Sequence, residues 1–267
     1  MNIGIFDSGV GGLSVLKKLS ERLPSYNYIY CGDNKHVPYG EKRRDEIYEL
    51  TKKAVTFLFE QQCQIIILAC NTATAAALRR LQQTYLPLYY PNRRILGVIL
   101  PICEEVTKRN LKRVGVIATT STVRSNSFVI ELQKLQPSLK IYQNECPLLV
   151  PFIEKGNIGI QQIDKLLHTY LQPLIEKRIE ALLLGCTHYG FVQDKIQKLV
   201  GPSIEVVSEN ETTVQKFEDY LNRHPEIEMK LDKQHKRLFY VTKLDPEYKN
   251  HMQFFLGKPA DTVYLIP

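Results

Sequence analysis

Leu68-Ala69-Cys70-Asn71-Thr72-Ala73-Thr74 and Leu184-Gly185-Cys186-Thr187-His188-Tyr189 echo each other along the chain. Each follows an apolar run, Ile65 to Ala69 and Ala181 to Leu184, of the unbroken kind that a parallel strand buried on both faces needs. Each cysteine therefore stands where a strand stops. Ligands of open α/β sheets bind at the carboxyl ends of strands, so two thiols placed there, each followed by hydroxyl or amide side chains, suggest two faces of one substrate.

The beginning of the chain carries a related pattern. Residues 2 to 6 read as a strand, and Asp7-Ser8-Gly9-Val10-Gly11-Gly12-Leu13-Ser14 turns from it into a helix starting near Leu13. The three glycines let backbone approach a ligand, and the helix N-terminus makes the turn anion-friendly. It lacks the GxGxxG spacing of a dinucleotide site, and Asp7 would repel a pyrophosphate. Asp7 is a candidate N-cap that competes with a role beside a reacting group. Further on, the strand Val114 to Ala118 runs into Thr119-Thr120-Ser121-Thr122 and a helix, where hydroxyls stand in place of Asp7-Ser8. Pairing 7 with 119 and 70 with 186 leaves separations of about 63 and 67 residues by subtraction, so an internal duplication is inferred. Its consequence is two similar lobes facing across a cleft, each offering one thiol.

Other segments fill in this frame. Residues 26 to 31 make a strand, followed by a Pro38-Tyr39-Gly40 turn that presents the Tyr39 hydroxyl; His36 beside it reads as structural. Apolar residues at helical spacing run from Glu41 to Gln62, and Ala73 to Gln83 is strongly helix-forming, which puts Cys70 at a helix N-terminus that favours a thiolate. Ile95 to Leu100 reads as a strand ending at Pro101, with the crossover to the second lobe nearby. Ile204 to Ser208 is a strand, Glu211 to Asn222 a helix and Thr262 to Ile266 a last strand, while the charged residues 222 to 250 read as loop and edge. The expected fold is α/β, two similar lobes with mostly parallel sheets: 1–97 with 208–267 forms the first, and 98–207 the second.

With 267 residues, 44% of them hydrophobic and 24% charged, the chain has enough apolar material for two modest cores. A net charge of +7 raises the question of nucleic acid, but the basic residues are scattered pairs such as Lys17-Lys18 and Arg93-Arg94, interleaved with Asp45, Glu46, Glu104 and Glu105. Solvated helix faces are the simpler reading, and a mild positive field would attract a small dianion. Apolar runs are too short for a membrane helix, and Met1 leads straight into a strand rather than a signal sequence, so a cytoplasmic protein is expected. The six widely spread cysteines read as free thiols, with no CxxC pair to hold a metal.

Two symmetric thiols call for a particular chemistry. One thiolate can take a proton from a carbon acid while the opposite thiol returns one from the other face, which inverts a stereocentre. An ordinary thiol, with a pKa near 8.5, is a far weaker base than such a carbon acid demands, so fixed donors and exclusion of water must stabilise the carbanion. Asn71, Thr72, Thr187, Ser8, Tyr39 and Gly40 are suited to hold carboxylates, and Asp7 and His188 to tune one thiol each. Without a phosphate loop or a Schiff-base lysine motif, no cofactor is expected.

The motifs Gly4-Ile5-Phe6-Asp7-Ser8-Gly9-Val10-Gly11-Gly12, Pro38-Tyr39-Gly40, Ala69-Cys70-Asn71-Thr72-Ala73, Cys146-Pro147 through Glu154-Lys155-Gly156, and Leu184 to Tyr189 resemble those of bacterial glutamate racemases, in the same order over nearly the whole chain. The resemblance implies cofactor-independent interconversion of L- and D-glutamate, supplying peptidoglycan synthesis, by a protein without nucleic-acid or membrane partners and expected to be a homodimer. Carried over motif by motif, Cys70 would take the α-proton of D-glutamate and Cys186 that of L-glutamate, assisted by Asp7, Glu154 and His188. Asp7, Ser8, Pro38, Tyr39, Gly40, Asn71, Thr72, Thr119, Thr122, Thr187 and His188 would hold the substrate.

Three positions depart from the family pattern: Val207-Ser208-Glu209 where Asp-Ser is frequent, Phe128 where Tyr is, and Lys35-His36-Val37 before Pro38. Some activator-dependent members of the family carry an N-terminal extension that this sequence does not show, so activator independence is expected. Rival readings are a related racemase or isomerase acting on aspartate, hydantoins or maleate, a cysteine hydrolase using Cys186 and His188, and a non-catalytic binding protein. The hydrolase predicts a covalent intermediate and leaves Cys70 unexplained.

Overall fold

The structure is a computed structural model that describes residues 1–159, 161–257 and 262–266. Its strands are β1 (Asn2–Asp7), β2 (Tyr28–Gly32), β3 (Cys63–Leu68), β4 (Arg94–Gly97), β5 (Arg113–Ala118), β6 (Lys140–Glu145), β7 (Ala181–Gly185), β8 (Glu205–Ser208), β9 (Arg237–Val241) and β10 (Val263–Leu265). They form two sheets, ordered β10-β9-β2-β1-β3-β4 and β6-β5-β7-β8. Each described strand pairing is parallel.

The two orders are the same device used twice. Within β1 to β4 the second strand lies outside the first, and the third and fourth follow on the other side; β5 to β8 repeat this arrangement. The ends of β1 and β5 thus correspond, as do those of β3 and β7, and these are the positions of Asp7, Thr119, Cys70 and Cys186. The strands beneath the thiols are buried throughout, as parallel sheets covered by helices on both faces require. Leu13, Val15, Leu16 and Leu19 of the helix Leu13–Arg22 cover one face of the first sheet, and Ile47, Val55 and Leu58 of the helix Arg44–Glu60 the other.

Three local readings are corrected. The run from Ile95 does not continue as a strand to Leu100: β4 stops at Gly97 and the helix Ile99–Thr107 follows. Pro101 sits in that helix's first turn, where its missing N–H has no partner to lose. Lys140–Glu145 is a strand that the sequence reading passed over, because this edge strand is only half-buried and carries no apolar run. Residues 222 to 250 are not loop and edge. They contain β9, which lies inside the sheet between β2 and β10, and they begin the helix Pro246–Leu256, which packs on the helix Leu13–Arg22. β10 lies within the expected last strand, Thr262 to Ile266, and is the edge.

Candidate active site

A cavity of about 70 Å³ lies between the lobes, lined by Ser8, Gly9, Pro38, Tyr39, Gly40, Cys70, Asn71, Thr72, Thr119, Glu154, Cys186, Thr187 and His188. On the first lobe's wall, Cys70 is the N-cap of the helix Asn71–Arg80, and its Sγ accepts from the Ala73 N–H at 3.4 Å. The Ser8 hydroxyl stands 3.3 Å from the same sulfur. The helix N-terminus was expected to favour a thiolate, but burial outweighs it. Desolvation, then the Asp7 charge, push the Cys70 thiol up to about 11, against the hydrogen bonds from Ser8 and Ala73. Asp7 itself is 1% exposed, and its Oδ2 accepts from the Gly9 N–H at 2.8 Å. Burial raises its carboxyl above the ordinary range, with the His188 charge pulling the other way.

On the facing wall, Cys186 ends β7 and a 3₁₀ turn, Thr187–Val192, follows it instead of an α-helix. His188 folds back so that Nδ1 lies 3.8 Å from Cys186 Sγ, while Nε2 lies 2.9 Å from Glu154 Oε1. Burial works against charge on this imidazole, but the bond and charge of Glu154, with the Asp7 charge, raise its pKa. Burial likewise opposes ionisation of Glu154, and His188, aided by His251, holds its carboxyl below the usual range. Glu154, His188 and Cys186 thus form a chain of proton-bearing groups. Burial drives the Cys186 thiol well above its ordinary value, against the hydrogen bond from the His188 backbone N–H.

The glycines serve lobe packing more than ligand approach. A Cβ on Gly11 would sit 2.5 Å from His188 Nδ1, and one on Gly12 2.6 Å from Asp7 Cβ. Gly9 alone of the three lines the cavity, and its carbonyl accepts from both the Tyr30 and the Tyr248 hydroxyls at 2.9 Å. At Gly40 a Cβ would meet Thr119 Cβ at 2.9 Å, so the Pro-Tyr-Gly turn closes directly onto the second lobe. Thr72, Thr119 and Thr122 form a triangle of hydroxyls across the boundary, at 2.9, 3.3 and 3.0 Å.

Most of the expected residues meet here: the cavity lining includes each of them except Asp7, which lies behind Gly9, and Thr122, which reaches it through Thr72 and Thr119. Tyr39 lines the cavity too, but its hydroxyl is not presented to it. That hydroxyl donates to Asp33 Oδ2 at 2.6 Å, and the Asp33 carboxylate also takes Thr242 and stands 2.7 Å from His36 Nδ1. Three participants went unread in the sequence. Asp33, after β2, ties this turn to the strand end of β9. The helix Pro246–Leu256 sets Phe255 edge-on against His188 and Tyr248 on Gly9. Glu209, noticed only as a departure, is 1% exposed and accepts from Asn71 Nδ2 at 3.0 Å. A larger cleft of about 440 Å³, lined by Thr74, Leu78, Ile99, Phe217 and others, shows neither thiol nor histidine among the described residues.

No helix among the described residues is long and apolar enough to cross a membrane. The family described as Asp/Glu/Hydantoin racemase matches residues 3–217. The chain is 39% identical over 240 residues to a glutamate racemase of Ruegeria sp. (strain TM1040), covering 85% of this chain and 87% of that one. Among solved structures it is similar to the glutamate racemase of Francisella tularensis in complex with D-glutamate, at 30% identity with a TM-score of 0.90, over 100% of this chain and 97% of that one. The glutamate racemase isoform RacE1 of Bacillus anthracis gives the same TM-score, identity and coverage. With two repeated parallel sheets, facing strand-end thiols and these matches, the chain belongs to the Asp/Glu/hydantoin racemase family.

Proposed function

We propose that this chain racemises glutamate by a two-thiol mechanism. The observation that carries the mechanism is that Cys70 and Cys186, one from each lobe, line the same buried cavity. From L-glutamate, the Cys186 thiolate takes the α-proton to become a thiol. The pair of electrons left on Cα spreads into the α-carboxylate, and the Cys70 thiol gives its proton to the opposite face, ending as the thiolate. D-glutamate runs the same steps in reverse.

Burial keeps both thiols neutral, which sets each turnover a first requirement: a thiolate must be made as substrate binds. On the Cys186 side, the His188 imidazole, held by Glu154, is the group placed to accept or return that proton. On the Cys70 side, the Ser8 hydroxyl and the Ala73 N–H stabilise the anion. The substrate ammonium, once bound near Asp7, would favour both thiolates. Asn71, Thr72, Thr119 and Thr187 hold the carboxylates, and their fixed dipoles stabilise the developing enediolate.

The product D-glutamate serves peptidoglycan synthesis in the cytoplasm, and the protein works as a homodimer without a nucleic-acid or membrane partner. Those assignments follow from the resemblance to glutamate racemases. The test of the reaction is α-deuterium incorporation from D2O into each enantiomer of glutamate, for the wild type and for Cys70→Ser and Cys186→Ser. Exchange with racemisation in the wild type, largely lost in both variants with opposite enantiomer bias in the residue, is the expected result. Absence of exchange from either enantiomer overturns glutamate as substrate.

A further inference from the structure

Glu209 and Asn71 follow strands of different sheets. Asn71 opens the helix that follows Cys70, and Glu209 opens the helix Glu209–Arg223 directly after β8. Both side chains are buried, at 2% and 1% exposure. Their one recorded bond, Asn71 Nδ2–H to Glu209 Oε1 at 3.0 Å, uses one atom of each group. The remaining oxygens, Asn71 Oδ1 and Glu209 Oε2, are both buried and both without a donor. An ionised carboxylate offers only acceptors, so it leaves two orphaned oxygens on neighbouring groups, each costing about 1–3 kcal/mol in ordinary buried sites.

We propose that Glu209 is a protonated carboxylic acid joined to Asn71 by two hydrogen bonds, Nδ2–H to Oε1 and Oε2–H to Oδ1, and that this acid–amide ring positions the Asn71 amide between the ends of the two sheets. One proton supplies the donor that both orphaned oxygens lack. The second N–H of Asn71 is then the polar group left for the cavity, a donor suited to a carboxylate.

The charges around Glu209 agree with a neutral acid. Asp7 of β1 faces it with a negative charge, and Cys186 lies on the adjoining turn. The cation acting on it is His188, which is already committed to Glu154. On the helices packed against its own, Lys18 pairs with Glu211, Arg22 with Glu218, and Glu104 with Lys216, so these charges are matched among themselves. Burial pushes the Glu209 carboxyl up to about 8, against its own backbone N–H, the Asn71 bond and the His188 charge.

Glu209→Gln is the discriminating variant, because a glutamine amide closes the same ring with Nε2–H in place of Oε2–H and cannot ionise. Glu209 binds a proton in the folded state that an unfolded carboxyl releases above about 4.3. Wild-type stability therefore falls between that value and about 8, a loss that Gln escapes. The expected result is a Tm advantage of Glu209→Gln over the wild type that grows from pH 5 to about pH 8 and then levels off. Equal pH dependence of Tm in the two proteins overturns the proposal. Should the variant fail to fold, wild-type protein labelled with 13C-glutamate answers alone: one side-chain carboxyl resonance titrates near pH 8, whereas titration of every resonance below pH 6 overturns the assignment. Neither readout depends on activity. The catalytic consequence does rest on Asn71 holding substrate: wild-type kcat/KM for glutamate stops rising near pH 8, where Glu209→Gln continues to rise. If the Tm and NMR results hold while the two pH–rate profiles coincide, the proton is where it is placed and the role of Asn71 is what fails.

Discussion

His188 Nε2 stands 2.9 Å from Glu154 Oε1, joining the turn after β7 to the helix Leu149–Glu154. Each group favours the other's charged form against its own burial, so the imidazole beside Cys186 holds a proton to higher pH than an ordinary histidine. Replacing Glu154 by Gln keeps the shape and removes the charge. The imidazole then loses its proton at a lower pH, and the Cys186 half of the reaction loses its acid. Since positioned acid–base groups contribute about 10²–10⁴-fold, kcat in Glu154→Gln is expected to fall about 10²-fold. Steady-state rates from both enantiomers check this; an unchanged kcat would remove Glu154 from the machinery.

The same pair makes stability depend on pH in two directions. His188, with its pKa raised, contributes stability at low pH that is lost as pH rises through its folded value. Glu154, with its pKa lowered, contributes stability at higher pH that is lost as pH falls through its folded value. The pair therefore stabilises the fold most in the window between the two. Tm of Glu154→Gln measured against wild type is expected to show its largest deficit near neutrality, shrinking toward pH 3 and toward alkaline pH.

Gly11 has no room for a side chain, since a Cβ there would sit 2.5 Å from His188 Nδ1 and also press on the Thr187 hydroxyl. Gly11→Ala must push the second lobe's turn away from the first lobe or shift the imidazole. A misplacement of about 1 Å at reacting groups costs on the order of 10²-fold in rate. Activity is thus expected to collapse by about that factor while far-ultraviolet circular dichroism stays that of the wild type. Full activity in Gly11→Ala would show that the lobes do not need this contact.

Ser8→Ala removes the hydroxyl 3.3 Å from Cys70 Sγ, a bond that lowers the thiol's pKa. Hydrogen bonds to charged groups are worth about 1.5–3 kcal/mol, so deprotonation of Cys70 becomes harder by roughly 10-fold or more. The expected sign is an upward shift of the rising limb of the D-glutamate kcat/KM profile, with the L-glutamate limb less affected. A pH–rate series on both enantiomers reads this directly.

Parts of this arrangement were legible in the sequence for physical reasons, and parts were not. β3 and β7 were readable because strands buried on both faces spell unbroken apolar runs, and their thiols stood at the run ends. β6 is only partly buried and mixes charged and polar residues with apolar ones, so periodicity carried no signal there, whereas the apolar run Leu238 to Val241 of β9 was passed over because it is short and lies in a charged stretch. The helix Pro246–Leu256 shows why local pattern fails at a site: Tyr248 and Phe255 matter through what they touch far along the chain, Gly9 and His188. The state of the thiols was misjudged at Cys70 because helix-terminal position is a local feature and desolvation a tertiary one. Glu209 stood out as a departure, but only the Asn71 contact gives it meaning.

Thr72, Thr119 and Thr122 form the polar latch between lobes, and the triangle separates their contributions. Thr72 Oγ1 bonds both partners, at 2.9 and 3.3 Å, while Thr119 and Thr122 also bond each other at 3.0 Å and Thr119 caps its own helix. Thr72→Val keeps the shape of the side chain and deletes the cross-lobe bonds, leaving the second lobe's pair intact. At about 1 kcal/mol net per neutral hydrogen bond, the loss in global stability is small. The effect on substrate is larger in kind, because Thr72 lines the cavity. KM for glutamate is expected to rise about 10-fold or more with kcat reduced less, whereas Thr122→Val, which does not line the cavity, leaves KM within about twofold of wild type. Equal KM changes in the two variants would mean that the latch acts on lobe closure alone and that Thr72 does not touch substrate.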